Sequence, residues 1–314
     1  MCGIVGLFRP GGLAPNEGAV LASLCARLTH RGPDSDGLWM DEPAGVALGH
    51  RRLSIIDLSP AGAQPMCSAS GRYTIVFNGE IYNFADLREG LAMRDLAPQW
   101  RGHSDTEILL ACIEAFGLET TLVRLRGMFA FALFDAQDGA LHLARDAFGE
   151  KPLYLAKIVG AFVFASELKA IQTHPAFARS INHQSLVAFV RHGYLGATGS
   201  LYDDVAQIAP GSYVTITRAG EHSVTQWWDH EAIATEARRE RFDGSDGEAV
   251  ELLDRLIHAS ISRQSVADVR VGAFLSGGID SSVIAAVMQA QRATRIDTFT
   301  LGFQEEAFNE APYA

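Results

Sequence analysis

The sequence predicts an α/β fold in two parts, on the basis of three observations. Short apolar runs separated by turn sequences follow one another up to about residue 228, and helical periodicity is sparse among them. Many strands and few helices are typical of stacked sheets with helices outside them. Nearer the end, a strand, a loop, a helix and another strand indicate one βαβ unit of a parallel sheet.

The first elements are read from apolar patterns and their flanking residues. Residues 3–8 (GIVGLF) predict a strand, and Asn16 is expected to cap the helix that follows it. This helix ends at the loop HRGPDSDG, and its apolar face consists of Val20, Leu21, Leu24, Cys25 and Leu28. Further strands are expected at residues 45–49, 52–57 and 73–77, the last leading into the polar turn NGE.

A capping box and two hairpins follow in the same part. Ser104 and Glu107 have the spacing of a capping box, which predicts a helix that continues to Phe116. The two hairpins pair residues 128–134 with 140–145 across AQDG, and 153–157 with 161–165 across IVG.

A charged stretch, EARRERFDGSDG, separates the two parts. We therefore expect a first domain over residues 1–228, a linker over 229–247 and a second domain over 248–314. Ser245 and Glu248 form a capping box for a helix with one apolar face, formed by Val250, Leu253, Ile257 and Ile261. The βαβ unit VRVGAFL, SGGIDSS, helix and IDTFTLGF comes next. Because one such unit cannot bury both faces of a parallel sheet, we expect this domain to be incomplete here.

The charge and cysteine content of the chain exclude several classes of binding partner. The formal charge of −11, with no run of Lys and Arg, argues against a general nucleic-acid binder or an anionic-membrane binder. The four cysteines lie far apart, which predicts neither a zinc cluster nor a disulfide framework. No signal peptide or membrane span is recognisable. We expect a cytoplasmic protein that acts on small molecules.

Cys2 stands directly after the initiator Met and is a candidate nucleophile. Removal of Met1 would place a thiol and a free α-amine on one residue. Because an α-amine has a pKa of about 8 and a thiol of about 8.5, the amine is matched to accept the thiol proton. A lone cysteine near a terminus is more often an ordinary packed residue, so the assignment depends on the rest of the sequence.

Eight motifs occur in order across residues 1–170, namely MCGIVGLF, HRGPD, RRLSIID, FNGEIYN, HSDTE, LRGMFAFALFD, RDAFGEKPLY and ASELKA. Together they resemble the class II glutamine amidotransferases of the N-terminal-nucleophile hydrolase superfamily. The resemblance implies an αββα sandwich with Cys2 as the nucleophile. It also implies an oxyanion hole made by the Asn78 side-chain amide and the Gly79 backbone N–H; without it, NG would be read as a plain turn.

The same resemblance implies a glutamine pocket. Arg52 would pair with the α-carboxylate, and Asp105, helped by Glu80, would hold the α-ammonium. Backbone groups of Leu53, Ser54, Ile55 and Ile56 would line the pocket. On sequence alone, Asp105 is equally well read as an acid that favours the dipole of its helix. Arg51 is interpreted as solvated or structural, and the pairs Arg31 with Asp34 and Arg145 with Asp146 as supporting the site or a domain interface.

The SGGIDSS loop lies between a buried strand and a helix, a context that suits phosphate oxygens. No Walker A lysine is present, which favours the pyrophosphate-binding loop of N-type ATP pyrophosphatases over a kinase loop. Ser276, Gly277, Gly278, Asp280, Ser281 and Ser282 would form the cradle, with Asp280 as a candidate Mg²⁺ ligand. Leu275 and Leu301 are the candidates for contacting adenine or ribose. An SGG turn on its own is most often only a loop.

A glutaminase domain followed by SGGIDSS resembles the asparagine synthetases of the glutamine-hydrolysing type. This implies ATP and Mg²⁺ as cofactors, glutamine and aspartate as substrates, and a homodimer as one assembly. Other amidotransferases also begin with CGIVG-like sequences, and the second domain decides against them. Two alternatives stay open: an amidotransferase of the same family acting on another carboxylate, in polysaccharide or secondary-metabolite synthesis, and a non-catalytic remnant with a binding or regulatory role. Because the resemblance also implies a second ATP motif beyond residue 314, we expect these residues alone to hydrolyse glutamine without making asparagine.

Overall fold

The computed structural model describes residues 1–314, with the side chain of residue 307 set aside. The strands are β1 (Gly3–Phe8), β2 (Ser35–Asp41), β3 (Val46–Arg52), β4 (Met66–Cys67), β5 (Tyr73–Ile81), β6 (Gly127–Asp135), β7 (Ala140–Arg145), β8 (Tyr154–Ile158), β9 (Ala161–Ala165), β10 (Val205–Gln207), β11 (Ser212–Ile216), β12 (His222–Gln226), β13 (Gly272–Phe274) and β14 (Asp297–Phe299). The helices are α1 (Glu17–Ala26), α2 (Phe84–Ala92), α3 (Asp105–Phe116), α4 (Leu118–Leu122), α5 (Leu168–Ile171), α6 (His183–His192), α7 (His230–Ala237), α8 (Asp246–Gln264) and α9 (Ile279–Ala290).

The chain divides into two compact units, Met1–Ile233 and Ala234–Ala314. Within the described residues of the first unit, the strands form two six-stranded sheets. Their orders are β10-β8-β9-β1-β3-β2 and β12-β11-β7-β6-β5-β4. Every pairing inside these sheets is antiparallel.

Strand alternation explains why the first unit has four layers. In β1, Ile4 and Phe8 pack with Val76 and Phe134 of the other sheet, which makes the core between the sheets. Their neighbours Val5 and Leu7 point to the opposite face and pack against Leu21 and Leu24 of α1. On the second sheet, Ile75 and Phe131 pack against Leu109, Leu110 and Ile113 of α3. Helix, sheet, sheet and helix therefore stack in the αββα order that the sequence predicts.

The second unit contains the predicted βαβ unit. Strands β13 and β14 pair in parallel, with Gly272 opposite Asp297 and Phe274 opposite Phe299, and α9 lies between them in sequence. The capping box of α8 is confirmed, because Ser245 Oγ accepts the Glu248 N–H and the Glu248 carboxylate accepts the Ser245 N–H. The predicted apolar face of α8 remains largely exposed, with Val250 at 67% and Leu253 at 57%.

The predicted strand at residues 52–57 is wrong, because β3 ends at Arg52. Alternating apolar residues in RRLSIID suggested a strand, but Asp57 has a left-handed φ of 56° that no regular strand allows. The carbonyls of this segment turn instead toward the Arg52 guanidinium. The prediction of a loop over HRGPDSDG is wrong at its end, because Ser35–Asp41 forms β2 and pairs with β3.

Two predictions of helix caps need smaller corrections. Asn16 occupies the N-cap of α1 but makes no capping hydrogen bond, and the Glu17 carboxylate accepts the Ala14 N–H instead (2.8 Å). In the capping box predicted at Ser104 and Glu107, Ser104 Oγ accepts the Glu107 N–H as expected. The Glu107 carboxylate instead accepts the backbone N–H groups of Arg101 (2.9 Å) and Gly102 (3.1 Å). Residues 229–247, predicted as a linker, contain α7 because Glu231 to Ala237 are mostly helix-favouring residues.

Membrane crossing can be assessed from helix length and hydropathy. Among the described residues, no helix combines the length and the apolar character needed to traverse a bilayer.

Candidate active site

One cavity of the first unit brings together most of the residues predicted to form the glutaminase site. It has a volume of about 80 Å³ and opens to solvent. Most of its lining residues come from the N-terminus, the end of β3 and the segment after it, the end of β5 and the start of α3. The lining residues include Met1, Cys2, Arg52, Leu53, Ile55, Ile56, Gly62, Gln64, Asn78, Gly79, Glu80, Asp105, Thr106 and Lys151.

Among the residues predicted for the glutamine pocket, Ser54 does not line this cavity. Its backbone N–H donates to Asp34 Oδ2 (2.8 Å), and the Asp34 N–H donates to the Arg52 carbonyl (3.1 Å). Asp34 therefore fixes the backbone of the segment after β3 through these two hydrogen bonds.

The Cys2 thiol lies against the backbone of Leu53. The Leu53 N–H donates to Cys2 Sγ (3.4 Å), and Sγ lies 3.6 Å from the Leu53 carbonyl oxygen. Burial raises the pKa of the Cys2 thiol, although the Leu53 hydrogen bond opposes this effect. Because a raised pKa keeps the sulfur protonated near neutral pH, nucleophilic attack by Cys2 requires a base beside it.

The backbone of Cys2 is fixed by Arg31. The Arg31 Nε donates to the Cys2 carbonyl (2.8 Å), and Nη1 pairs with Glu167 Oε1 (2.9 Å). Met1 lines the cavity, and burial lowers the pKa of its amine. Removing Met1 would therefore leave the Cys2 α-amine at the cavity, where the same burial would favour its neutral, proton-accepting form.

Asn78 is a buried polar residue whose side chain finds no partner. It lies in β5 opposite Ala130 and is 1% exposed, yet neither Oδ1 nor Nδ2 has a hydrogen-bond partner among the described residues. An unsatisfied buried amide is costly, so such a group usually has a functional reason. Next to it, a Cβ on Gly79 would collide with the Met128 carbonyl oxygen, so β-sheet packing alone already requires glycine there.

Arg52 and Asp105 supply opposite charges to the cavity. The Arg52 guanidinium is held by carbonyls, donating to Ser59 (3.2 Å) and Asp57. Asp105 begins α3, and its Oδ2 accepts the Ile81 N–H (2.9 Å). Burial, reinforced by the nearby Glu80, raises the pKa of Asp105 to about 6. The charged form of Asp105 is therefore destabilised in the cavity, and a bound cation would stabilise it.

The other arginine and aspartate residues singled out in the sequence have structural contacts. Arg51 pairs with Asp36 Oδ1 (3.2 Å) on the neighbouring strand. Arg145 donates to the carbonyls of Gly149 (2.7 Å) and Lys151 (2.8 Å). Asp146 accepts the backbone N–H groups of Phe148 (3.0 Å), Glu150 (2.9 Å) and Lys151 (2.9 Å). Arg145 and Asp146 therefore shape the loop that brings Lys151 to the cavity.

Sequence reasoning missed several cavity residues. Lys151 is 5% exposed, and burial lowers the pKa of its amine. Gln64 accepts the Phe77 N–H at Oε1 (2.7 Å), one residue before Asn78. His50 does not line the cavity, but its buried ring contacts the carbonyl of the lining residue Phe77 through Nε2 (3.1 Å). Lys151 lies inside the quoted motif RDAFGEKPLY, and a polar residue within an apolar strand pattern was the available signal for His50.

The SGGIDSS loop connects β13 to α9 in the second unit. Gly277 has a left-handed φ of 78°, and Gly278 caps α9. The Ser276 N–H donates to Ser281 Oγ (3.2 Å), which folds the loop back on the helix start. Asp280 lies in the first turn of α9, and the Ser282 N–H donates to the Gly278 carbonyl (3.1 Å). The Leu275 N–H donates to the Phe299 carbonyl (2.9 Å), and Leu301 is 67% exposed. No group of three or more His, Cys, Asp and Glu suited to a metal occurs in the described part of the chain.

Comparisons with known proteins address the same two units. A family model described as "Glutamine amidotransferase domain" matches residues 1–228, and one described as "Asparagine synthase" matches residues 252–314. Asparagine synthetase (glutamine-hydrolyzing) 1 of Bacillus subtilis is 35% identical over 318 residues, covering 100% of this chain and 48% of the relative. A putative asparagine synthetase (glutamine-hydrolyzing) of Mycobacterium tuberculosis is 37% identical over 331 residues, covering 100% and 49%. The chain spans about half the length of these curated relatives.

A solved structure supports the fold. Glutamine phosphoribosylpyrophosphate amidotransferase from B. subtilis, complexed with ADP and GMP, matches with a TM-score of 0.53 at 20% identity, over 72% of this chain and 49% of that chain. At this level of identity the likeness concerns the fold alone. It confirms the predicted fold class of the first unit.

Proposed function

The chain belongs to the glutamine amidotransferase domain family, and from this membership we propose that its first unit hydrolyses glutamine with Cys2 as nucleophile. One observation carries the proposal most directly. The buried, unpartnered Asn78 amide lies in the same cavity as the Cys2 thiol, as an oxyanion hole requires. Opposite charges on Arg52 and Asp105 suit the two ends of an α-amino acid.

The chemistry balances with the groups present. Cys2 Sγ attacks the side-chain carbonyl carbon of glutamine while the Cys2 α-amine, freed by removal of Met1, takes the thiol proton. The Asn78 Nδ2–H and the Gly79 N–H stabilise the oxyanion. The protonated amine returns its proton to the leaving nitrogen, so ammonia departs and a thioester remains. Water then attacks the thioester and releases glutamate, which restores the thiol.

Substrate binding follows from the charges around the cavity. Arg52 pairs with the α-carboxylate, and its carbonyl partners keep the guanidinium in a fixed plane. Asp105 and Glu80 bind the α-ammonium, while backbone groups of Leu53, Ser54, Ile55 and Ile56 border the substrate. The destabilised carboxylate of Asp105 gains most when it meets a cation, so the pocket favours an α-amino acid over a simple amide.

The experiment is a direct assay of glutamine hydrolysis. Protein without its initiator Met is incubated with glutamine, and glutamate and ammonia are measured separately over time. We expect equal amounts of both products without any nucleotide. A purified, folded protein that releases neither product would refute the proposed glutaminase.

The second unit supports a proposal for the whole protein that contains this chain. We propose that it is a glutamine-hydrolysing asparagine synthetase, in which ATP activates the aspartate side chain and ammonia from glutamine forms the amide. The loop formed by Ser276, Gly277, Gly278, Ser281 and Ser282 would hold the phosphates, and Leu275 and Leu301 would contact the nucleoside. Mg²⁺ would supply charge neutralisation, with Asp280 as one ligand beside phosphate oxygens. The match of residues 252–314 to the asparagine synthase model supports this assignment.

Product analysis tests the synthetase proposal. The whole protein that contains this chain, incubated with glutamine, aspartate, ATP and Mg²⁺, should give asparagine, AMP and pyrophosphate in equal amounts. Formation of AMP that depends on a different carboxylate, with no asparagine, would contradict the choice of aspartate.

Glutamine capture should weaken as the pH falls through about 6. The pKa of Asp105 is raised to about 6, so its carboxylate becomes neutral below that value and no longer attracts the substrate ammonium. The profile of kcat/KM reports groups of the free enzyme. We therefore expect an acid limb near this pH for glutamine that is absent for glutaramate, an analogue without the α-amine. Because the Cys2 α-amine must be unprotonated with either substrate, only the difference between the two profiles reports on Asp105. Profiles that coincide at every pH would contradict its role.

A further inference from the structure

Asp57 is a fully buried carboxylate that joins two segments of the glutamine pocket. It follows the Leu53–Ile56 segment and has no exposed surface. Its Oδ1 accepts the Ser59 N–H (3.1 Å) and the Ser59 hydroxyl, which closes a tight turn. Its Oδ2 accepts the His103 N–H (2.9 Å) from the segment that leads into α3. One side chain thus ties the segment after β3 to the start of α3.

The same residue also holds Arg52. The Asp57 carbonyl accepts a hydrogen bond from Arg52 Nη2, and Nη1 donates to the carbonyl of Ser59 (3.2 Å). On the other side, His103 is two residues before Asp105. Gly102 packs so closely on Asp57 that a Cβ there would collide with Oδ2. Arg52 and Asp105, the two charges of the pocket, are therefore connected through Asp57.

We propose that Asp57 is a positioning residue that fixes the separation of Arg52 from Asp105, and with it the selectivity for substrates carrying both an α-carboxylate and an α-ammonium. The inference rests on the proposed glutaminase. The two charged groups of an α-amino acid are separated by a fixed number of bonds. Only one spacing of Arg52 and Asp105 lets both pair at once while the side-chain amide reaches Cys2.

The state of Asp57 suits this role across the working pH range. Burial alone would raise the pKa of Asp57, but hydrogen bonds from Ser59 and His103 outweigh it and hold the pKa below its usual value. Because the folded-state pKa is depressed, the stabilisation is present above the unfolded-state pKa and is lost only as the pH falls through the folded-state value. The carboxylate of Asp57 therefore stays charged where Asp105 titrates.

The test uses Asp57→Asn in the protein without its initiator Met. Asparagine tolerates the left-handed φ of position 57 as aspartate does, so the backbone strain is unchanged. Its amide, however, replaces an acceptor by a donor that faces either Ser59 or His103. We expect the KM for glutamine to rise about tenfold or more while kcat changes by less than about threefold, since binding and not the nucleophile is displaced.

Two readouts separate positioning from a general loss of structure. The preference for glutamine over glutaramate, measured as the ratio of kcat/KM values, should fall by about tenfold, because the α-ammonium contact is lost. Alkylation of Cys2 by iodoacetamide, a reagent without α-groups, should keep the wild-type rate. A folded Asp57→Asn protein with unchanged KM and unchanged preference would overturn the proposal.

Asp135→Asn is the matched control. Asp135 is 3% exposed and accepts hydrogen bonds from Arg72 Nη2 (2.6 Å) and the Gln137 N–H (2.9 Å), but it lies outside the cavity. This variant should lower the melting temperature and leave KM and the preference for glutamine unchanged. An equal rise of KM in Asp135→Asn would contradict a specific role for Asp57.

If Asp57→Asn does not fold, a second variant tests the positioning role of Asp57. Gly102→Ala pushes a methyl group against Oδ2 without changing any charge, and should raise KM in the same direction. An unchanged KM in folded Gly102→Ala would refute the proposal in that case. If the wild-type protein released no glutamate at all, the proposed function would fail and this inference with it. If the wild-type protein hydrolysed glutamine but the variants kept its KM and its preference for glutamine, only the inference about Asp57 would fail.

Discussion

Replacing Cys2 by alanine should lower the rate of glutamine hydrolysis by at least about a thousandfold, because no other group can form the thioester. The other described cysteines are poorly placed to substitute for it. Cys25 and Cys112 are buried in packed clusters, and Cys67 contacts Thr74 on the neighbouring strand. None of the three lines the cavity that holds Asn78.

Glutamine binding should survive the Cys2→Ala change. Arg52 and Asp105 are untouched, so the dissociation constant for glutamine, measured by calorimetry, should stay within about threefold of the wild-type value. Cys67→Ala is the matched control, since Cys67 is half-buried like Cys2 and should be dispensable for hydrolysis. If Cys2→Ala still hydrolysed glutamine and Cys67→Ala did not, Cys2 would not be the nucleophile.

Replacing Asn78 by alanine should lower kcat by about 10²- to 10³-fold, the usual cost of removing one oxyanion-hole donor. The effect on stability should be small. The Asn78 amide is buried without partners, so its removal relieves a penalty of about 1–3 kcal/mol that offsets the lost packing. The free energy of unfolding from urea titration should therefore fall by no more than about 1 kcal/mol.

Asn182→Ala provides the opposite pattern as a control. Asn182 caps α6, where its Oδ1 accepts the Ser185 N–H (2.9 Å) and its Nδ2 donates to Asp203 (3.0 Å). Loss of this cap should cost about 1 kcal/mol of stability without affecting kcat. If Asn78→Ala instead lost stability and retained kcat, the amide would be structural and the oxyanion hole would lie elsewhere.

The fold could be predicted wherever local chemistry determines the element. The hairpins of β6 with β7 and of β8 with β9 follow from apolar runs around short turns, and both pairings form as predicted. The capping box of α8 likewise depends on residues three apart. Where a segment is shaped by long-range contacts, prediction failed. The residues after Arg52 alternate like a strand, but their carbonyls turn toward the guanidinium, a contact that periodicity does not encode.

The site shows the same division. Motifs indicated Cys2, Arg52, Asn78 and Asp105, and all four side chains lie around one cavity. Lys151 and Gln64 were not assigned in advance, since their importance comes from loops and a neighbouring strand that bring them to the cavity. Asp57, within a motif that was recognised, shows its connections only once the segments after β3 and before α3 are seen side by side.

The central claim is that Cys2, carrying a free α-amine, is the nucleophile. A glutamine-like diazo ketone tests it most directly, because the thiol that attacks the reagent retains a covalent label. Peptide mass spectrometry of the inactivated protein should find one label per chain, on Cys2 as the first residue, with Met1 absent. Excess glutamine should slow the labelling. A label on Cys25, Cys67 or Cys112 with Cys2 unmodified, or full glutaminase activity in protein that retains Met1, would contradict the claim.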